Sequence, residues 1–360
     1  MQPLTLEVKK AGAAQEAVML LSQLIRTPSF SREEQDTALI LQSFLKERNI
    51  AAHRKRNNVW ALNKYFNAAL PTILLNSHHD TVKPNAAYSR DPFFAEVKDG
   101  RLYGLGSTDA GGALVSLLAA FLHFYEKENL RYNLVFAATA EEEISGRHGI
   151  ADLIAELPTV NFAIVGEPTQ MHLAIAEKGL IVLDCISHGI AGHAAREEGD
   201  NAIYKALADI EWFRNYKFPR ISDTLGAVKM NVTQIEAGTQ HNVIPAQCKF
   251  TVDLRTTDAY SNQEILDLIQ KNVRCQVKAR SLRLQPSAIP ADHPFVQAGL
   301  KLGRKTYGSP TLSDQALMPW PSVKIGPGDS ARSHSADEFI YLEEIEQGIE
   351  LYINLLNQIV

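Results

Sequence analysis

Apolar residues recur at helical spacing over 13–26 (AAQEAVMLLSQLIR), and the run stops at Thr27-Pro28, where the residue before a proline is pushed out of helical geometry. Ser31-Arg32-Glu33-Glu34 reads as a capping box that opens a second amphipathic helix reaching about Arg48. Short apolar runs then predict buried strands near 58–63, at 72–77, at 133–139 and at 162–165. Between them lie a Pro- and Gly-rich, loop-like segment over 83–107 and an apolar helix over roughly 113–126 that follows Asp109-Ala110-Gly111-Gly112. This alternation predicts an α/β fold, a central mixed sheet flanked by helices on both faces.

From about residue 177 the order changes. Strands over 180–188, 228–237, 248–256 and 277–285 enclose helices over 201–213 and 262–273. That is the ferredoxin-like β-α-β-β-α-β order of a two-layer domain. A helix over 294–305, a short strand over 322–325 and a helix over 341–358 then return to the first pattern. The expected division is a discontinuous domain, 1–176 with 287–360, carrying an inserted domain, 177–286.

Composition narrows the function classes. With a formal net charge of −5, no nucleic-acid partner is expected. The cysteines, Cys185, Cys248 and Cys275, are scattered and form no CxxC pair, as in the reduced packing residues of a cytoplasmic protein. The stretch MQPLTLEVKK lacks a basic-then-apolar signal pattern, and no run reads as the ~18 apolar residues of a membrane span. No membrane partner is expected.

The chemistry gathers at strand ends, where open α/β sheets hold their sites. In TILLNSHHDTV (72–82), alternation along the strand sends His78 and Asp80 to one side and His79 to the other. The imidazole is suited to ligation and the carboxylate to orienting it. The strand at 133–139 runs into Glu141-Glu142-Glu143, and that at 162–165 into Gly166-Glu167-Pro168-Thr169. With Asp109, and with His334 in DSARSHSADE, the candidate ligands are His78, Asp109, one glutamate of 141–143, Glu167 and His334. Nitrogen and oxygen donors without sulfur favour zinc as the first assignment. Five ligand residues exceed one tetrahedral ion with an open position and match two ions about 3.5–4 Å apart that share a carboxylate. A neighbouring glutamate would remain free as general base.

The motifs SHHDTV, GSTDAGG, TAEEEISG, VGEPT and the late His334 resemble those of the dinuclear-zinc amidohydrolases that include acetylornithine deacetylase, succinyl-diaminopimelate desuccinylase and carboxypeptidase G. The resemblance runs through essentially the whole chain, the inserted dimerisation or lid domain included. It implies that His78, Asp109 and Glu167 hold one Zn2+ and that Asp109, Glu143 and His334 hold the other, with Co2+ as a substitute. Asp80 would orient His78. The family usually has Asp-Glu-Glu where this chain has Glu141-Glu142-Glu143, which makes Glu142 the base and Glu143 the ligand; a one-residue slip would instead make Glu141 the base. In the inserted domain, Gly192-His193-Ala194 resembles a motif whose histidine reaches the partner subunit's site in a homodimer and steadies the developing oxyanion. Asn242 and Arg255 would present side chains to substrate, Arg255 pairing a carboxylate in bidentate fashion, and Gly326 would bring its backbone against substrate. Lys178 reads equally as a substrate contact or a solvated turn lysine. The implied reaction is amide hydrolysis of an N-acyl amino acid. N-acetyl- or N-succinyl-ornithine or N-acetylcitrulline, in arginine biosynthesis, leads; diaminopimelate desuccinylation, a dipeptidase or aminoacylase activity, and a catalytically dead binding relative are the alternatives.

Overall fold

Strict alternation of side chains along buried strands builds the first unit around one sheet. The computed structural model describes residues 3–360. It divides into one unit of Met1–Ala176, Ala288–Tyr307 and Ser313–Val360 and a second of Glu177–Ser287 and Gly308–Leu312. The second unit thus includes a short return, Gly308–Leu312, that the sequence division leaves in the first.

In the first unit the sheet order runs Ala52–Lys55, Asn58–Leu62, Asn133–Thr139, Thr72–His78, Phe162–Val165, Ser322–Lys324 and Leu173–Glu177. Thr72–His78 lies parallel to both Asn133–Thr139 and Phe162–Val165, and Ser322–Lys324 is parallel to the latter. Antiparallel strands flank this parallel centre, so the sheet is mixed. Ile73, Leu75, Leu134, Phe136, Phe162 and Ile164 face one core, under helices Pro3–Ile25, Gln35–Glu47, Gly112–Tyr125 and Leu342–Asn357. Leu74, Val135, Ala137, Ala163 and Val165 face the other, closed by the short helix Ile150–Leu153 with Trp60 and Trp320. The two faces are therefore covered unequally.

Local departures from the sequence reading have physical causes. The helix Gln35–Glu47 starts without a side-chain cap at Glu34. Ser31, expected to cap it, donates its hydroxyl to Asp80 at 2.6 Å instead. A strand, Ala52–Lys55, forms a hairpin with Asn58–Leu62 that no apolar run announces, because it is an edge strand without fully buried side chains. Part of 83–107 is not loop. Glu96–Lys98 and Arg101–Tyr103 pair with each other, and Phe339–Tyr341 joins them as a third strand. Ser107–Tyr125 is long and apolar enough to cross a membrane by length and composition, contrary to the sequence reading, yet 78% of its apolar window is buried inside the protein.

The second unit has the antiparallel order Lys229–Ala237, Gln247–Thr256, Gly179–His188 and Gln276–Ala279. Along Gly179–His188 buried and half-buried residues alternate, and Ile181, Leu183 and Cys185 pack against helices Ala202–Asn215 and Asn262–Asn272. Ser261 and Glu264 close a capping box at the start of the second helix. The fourth strand is shorter than its apolar run, ending at Ala279. Gly192–His193 and Val243–Ile244 form a separate two-stranded ribbon.

Candidate metal centre

Because the central strands are parallel, their C-terminal ends lie on one edge of the sheet. His78 is level with Thr139, two residues before Glu141, and Asn76 is level with Val165, two residues before Glu167. The strand register thereby collects a histidine and two glutamate-bearing turns at a single edge. Asp109 comes from the turn before helix Gly112–Tyr125, at a cis Asp109-Ala110 peptide. His334 comes from the loop after Ser322–Lys324.

Two groups of donors result. His78, Asp109 and Glu167 offer ligand atoms that lie within 4.8 Å of one another, and so do Asp109, Glu143 and His334. His78 Nδ1–H donates to the Asp80 carbonyl at 2.9 Å. Its Nε2 faces Asp109 Oδ1 at 3.2 Å, Glu167 Oε1 at 3.7 Å and Glu142 Oε2 at 4.0 Å. His334 Nε2 lies 2.9 Å from Glu143 Oε2 and 3.5 Å from Asp109 Oδ2. Asp109 thus turns one oxygen to each group. Glu142 belongs to neither.

Asp80 does more than orient an imidazole. Its Oδ1 stands 3.5 Å from His78 Nδ1 and accepts the Glu142 N–H at 3.0 Å, while Oδ2 accepts the Glu143 N–H at 3.2 Å and the Ser31 hydroxyl. One carboxylate therefore fixes both the histidine and the glutamate turn. Glu141 points elsewhere: its Oε2 accepts the His148 N–H at 3.2 Å, and its own N–H is held by buried Glu34 at 3.2 Å. His79 also turns away, with Nε2–H donating to the Asn57 carbonyl at 2.8 Å and Nδ1 against Thr37 Oγ1 at 2.9 Å.

The charge balance is lopsided. Asp80, Asp109, Glu142, Glu143, Glu167, Asp314 and Glu338 are all largely buried near His78, His334 and Lys324. Burial, reinforced by neighbouring carboxylates, raises Glu142 well above 4.5 and raises Glu143, while burial takes Glu167 to about 8. His334 rises to about 9 through its bond to Glu143. Burial opposes charge on His78, but Asp109 and Asp80 together hold its pKa well above 6.5. Burial takes His79, which lacks such partners, down to about 4. A carboxylate and imidazole set that is this short of positive charge fits divalent cations, and neither group contains a cysteine.

The remaining sequence candidates differ in placement. His193 and Asn242 sit together in the second unit. His193 pairs with Val243 across the ribbon, and the Asn242 carbonyl accepts the Ala194 N–H at 3.0 Å, with both side chains exposed. Arg255 is already engaged: its guanidinium forks onto Asp253 at 2.9 and 3.2 Å. Lys178 donates to the Ala227 carbonyl at 3.2 Å rather than standing in a solvated turn. For Gly326, both backbone polar groups are used internally. Its N–H donates to Thr169 Oγ1 at 3.0 Å and its carbonyl accepts the Thr169 and Met171 N–H groups. A Cβ there would meet the Glu167 carbonyl at 2.5 Å, so the glycine allows close packing behind a candidate ligand.

Two buried acids escaped the sequence reading. Asp314 accepts from Asn76 at 2.8 Å and Thr139 at 2.6 Å, tying together the ends of the two strands that lead to His78 and the glutamate turn. Glu338 receives three main-chain N–H groups around Asp109. Neither position has a sequence signal, since a buried acid satisfied by distant amides looks like a surface residue in the sequence.

Two outcomes are expected. Glu167 binds more protons folded than unfolded between 4.5 and about 8, so it costs stability as pH rises through that window. His334, raised to about 9, loses its stabilising contribution as pH rises from 6.5 through 9. These signs agree, and His79, held down to about 4, has exerted its opposite effect by about pH 7, so thermal melts of metal-free protein will show a lower Tm at about pH 8.5 than at about pH 7. Gly326→Ala forces either Glu167 or the helix bearing Ala113 to shift. A loss of about 1–3 kcal/mol in denaturant unfolding is expected, as for other overpacked sites.

Comparison with known proteins assigns the chain to a family. The model of peptidase family M20/M25/M40 matches residues 74–358. The chain is 32% identical over 309 residues to an acetylornithine deacetylase of Proteus mirabilis, covering 79% of this chain and 78% of that one. It is 25% identical over 371 residues to a succinyl-diaminopimelate desuccinylase of Cereibacter sphaeroides, covering 94% and 97%. Among solved structures, the Bacillus subtilis YXEP protein, described as a dinuclear metal binding peptidase, superposes with a TM-score of 0.73 at 16% identity, covering 96% of this chain and 98% of that one. The match spans both the strand ends and the inserted unit, and this chain belongs to peptidase family M20/M25/M40.

Proposed function

We propose that this chain is a two-zinc amidohydrolase that releases the acyl group of an N-acyl amino acid, with cobalt as a competent substitute. The observation that carries the reading is the pair of donor groups sharing Asp109, with the carboxylate of Glu142 in neither group and 4.0 Å from His78 Nε2. His78, Asp109 and Glu167 hold one ion, and Asp109, Glu143 and His334 the other.

The ions, when bound, supply Lewis acidity that polarises an amide carbonyl and brings a water's pKa towards 7. Glu142 accepts the proton of the attacking water and returns it to the departing amine. Burial raises its pKa, the direction that lets a carboxylate hold a proton long enough to hand it on. Glu141, bonded to its own turn, is poorly placed for that role. Asp80 keeps the base and the ligands in fixed relation.

A homodimer is the assembly we infer, with the partner subunit's His193 steadying the oxyanion. Exposed Ile190, Tyr204, Leu207 and Ile235 in the second unit, and the open outer edge of Lys229–Ala237, support self-association there. Asn242 stays a candidate substrate contact. Arg255 commits Nε and one Nη to Asp253, and the other end of its five-donor guanidinium remains to pair a substrate carboxylate.

For substrate, the likeness to an acetylornithine deacetylase supports N-acetyl- or N-succinyl-ornithine or N-acetylcitrulline, and so a cytoplasmic role in arginine biosynthesis. Succinyl-diaminopimelate is the second reading, favoured by the longer match to a desuccinylase.

Glu142→Ala is expected to lower kcat by about 10²–10⁴-fold while the protein retains both metals and its melting profile. His334→Ala is expected to lose one metal equivalent by elemental analysis. Normal turnover in Glu142→Ala together with its loss in Glu141→Ala would shift the base by one residue. A hydrolysis panel of N-acetylornithine, N-succinylornithine, N-acetylcitrulline and N-succinyl-diaminopimelate, with zinc or cobalt, will identify the substrate. Turnover of the last compound alone would move the assignment to desuccinylation.

A further inference from the structure

Glu338 is 2% exposed and stands four residues beyond His334. Its Oε1 accepts the Thr108 N–H at 2.7 Å and the Asp109 N–H at 3.0 Å, and its Oε2 accepts the Gly106 N–H at 3.2 Å. The main chain repeats the link: the Glu338 carbonyl accepts the Gly104 N–H at 2.9 Å, and Thr108 Oγ1 donates to the Phe339 carbonyl at 2.5 Å. The segment 104–109, which ends in the shared carboxylate, is thus strung along the same short stretch that follows His334.

That stretch is itself anchored. Arg332 forks onto Glu344 at 2.8 and 2.6 Å and reaches the Phe339 carbonyl at 3.2 Å. Ser333 donates to Asp109 Oδ2, so Asp109 is gripped from the His334 loop at its side chain and at its backbone. Three N–H donors converge on one side chain, which only an acceptor-only group can satisfy. A glutamine would turn an NH2 donor towards at least one of them. Burying a carboxylate for hydrogen bonding alone is costly, and a loop that needed only to be folded would not require it.

We propose that Glu338 is a positioning residue that sets the bridging placement of Asp109 relative to His334, and through it the affinity for the second metal ion. This rests on the two-metal reading above. Residues that support ligands in this way typically change metal affinity by about 10–100-fold when altered.

The test compares the full wild-type chain with Glu338→Gln, each metal-free and then titrated with Co2+, following visible absorption, equivalents bound and chelator competition. The expected result is two cobalt ions on wild type. In the variant the first ion should be nearly unchanged, the second about 10–100-fold weaker, and the spectrum altered. Two ions bound with wild-type affinities and spectrum, whatever the change in melting temperature, would overturn the proposal and leave Glu338 a purely structural group. Fewer than two ions on wild type would overturn the two-metal reading beneath it, a failure distinct from one confined to the variant. Should the variant not fold, amide hydrogen exchange of metal-free wild type decides. Protection at Gly106, Thr108 and Asp109 is expected, and rapid exchange at all three would overturn the clamp.

Discussion

Parallel strands oblige their C-terminal residues to share one edge, and in this chain that edge is crowded with acids. Like charges brought together out of water repel strongly unless cations, protons or hydrogen-bond donors answer them. The response here is graded. Asp80 takes amides and a hydroxyl, Asp314 takes an amide and a hydroxyl from side chains, and Glu338 takes three backbone N–H groups. Asp109 has two imidazoles and the Ser333 hydroxyl, Glu143 and Glu167 lean on imidazoles, and Glu142 has less still. Acids that the protein satisfies are scaffolding. Those it leaves short of charge are the ones suited to ions and protons.

This division explains why supporting residues come from far along the chain. The turn at 141–143 is pinned by Asp80, 62 residues earlier than Glu142, while Asp109 is pinned by Glu338, 229 residues later. Local sequence alone could hold none of these geometries, since each carboxylate sits in a short turn without a helix or strand of its own to stiffen it. Long-range hydrogen bonds fill that role. The sheet, with two apolar faces under unequal cover, supplies the rigid base from which the turns project.

Much of the fold was legible because the buried strands are continuous apolar runs and the helices of the second unit have clear periodicity. The ligand candidates were legible because strand ends followed by His or Glu are visible one after another. What stayed hidden depends on tertiary choice. Ser31 has the spacing of a helix cap but bonds Asp80, which offers a charged acceptor. Ala52–Lys55 is a polar edge strand with no apolar run to mark it. Gly326 reads as an open backbone site, and only the proximity of the Glu167 carbonyl reveals a packing glycine. Glu338 and Asp314 are ordinary acids until their donors arrive from other parts of the chain.

The neighbouring imidazoles of His78 and His79 carry one more consequence. Each has a backbone carbonyl as acceptor, but on different ring nitrogens: Nδ1 of His78 faces the Asp80 carbonyl, and Nε2 of His79 the Asn57 carbonyl. A carbonyl demands a hydrogen from the ring, so the two consecutive residues are set in opposite tautomers. With Nδ1 committed to that carbonyl, His78 has only Nε2 to offer a cation at the acidic edge, whereas His79 has its Nε2 hydrogen committed inside the core. The ligand nitrogen of this edge is thus chosen by a main-chain carbonyl two residues further along the same strand end, and not by the acids it faces.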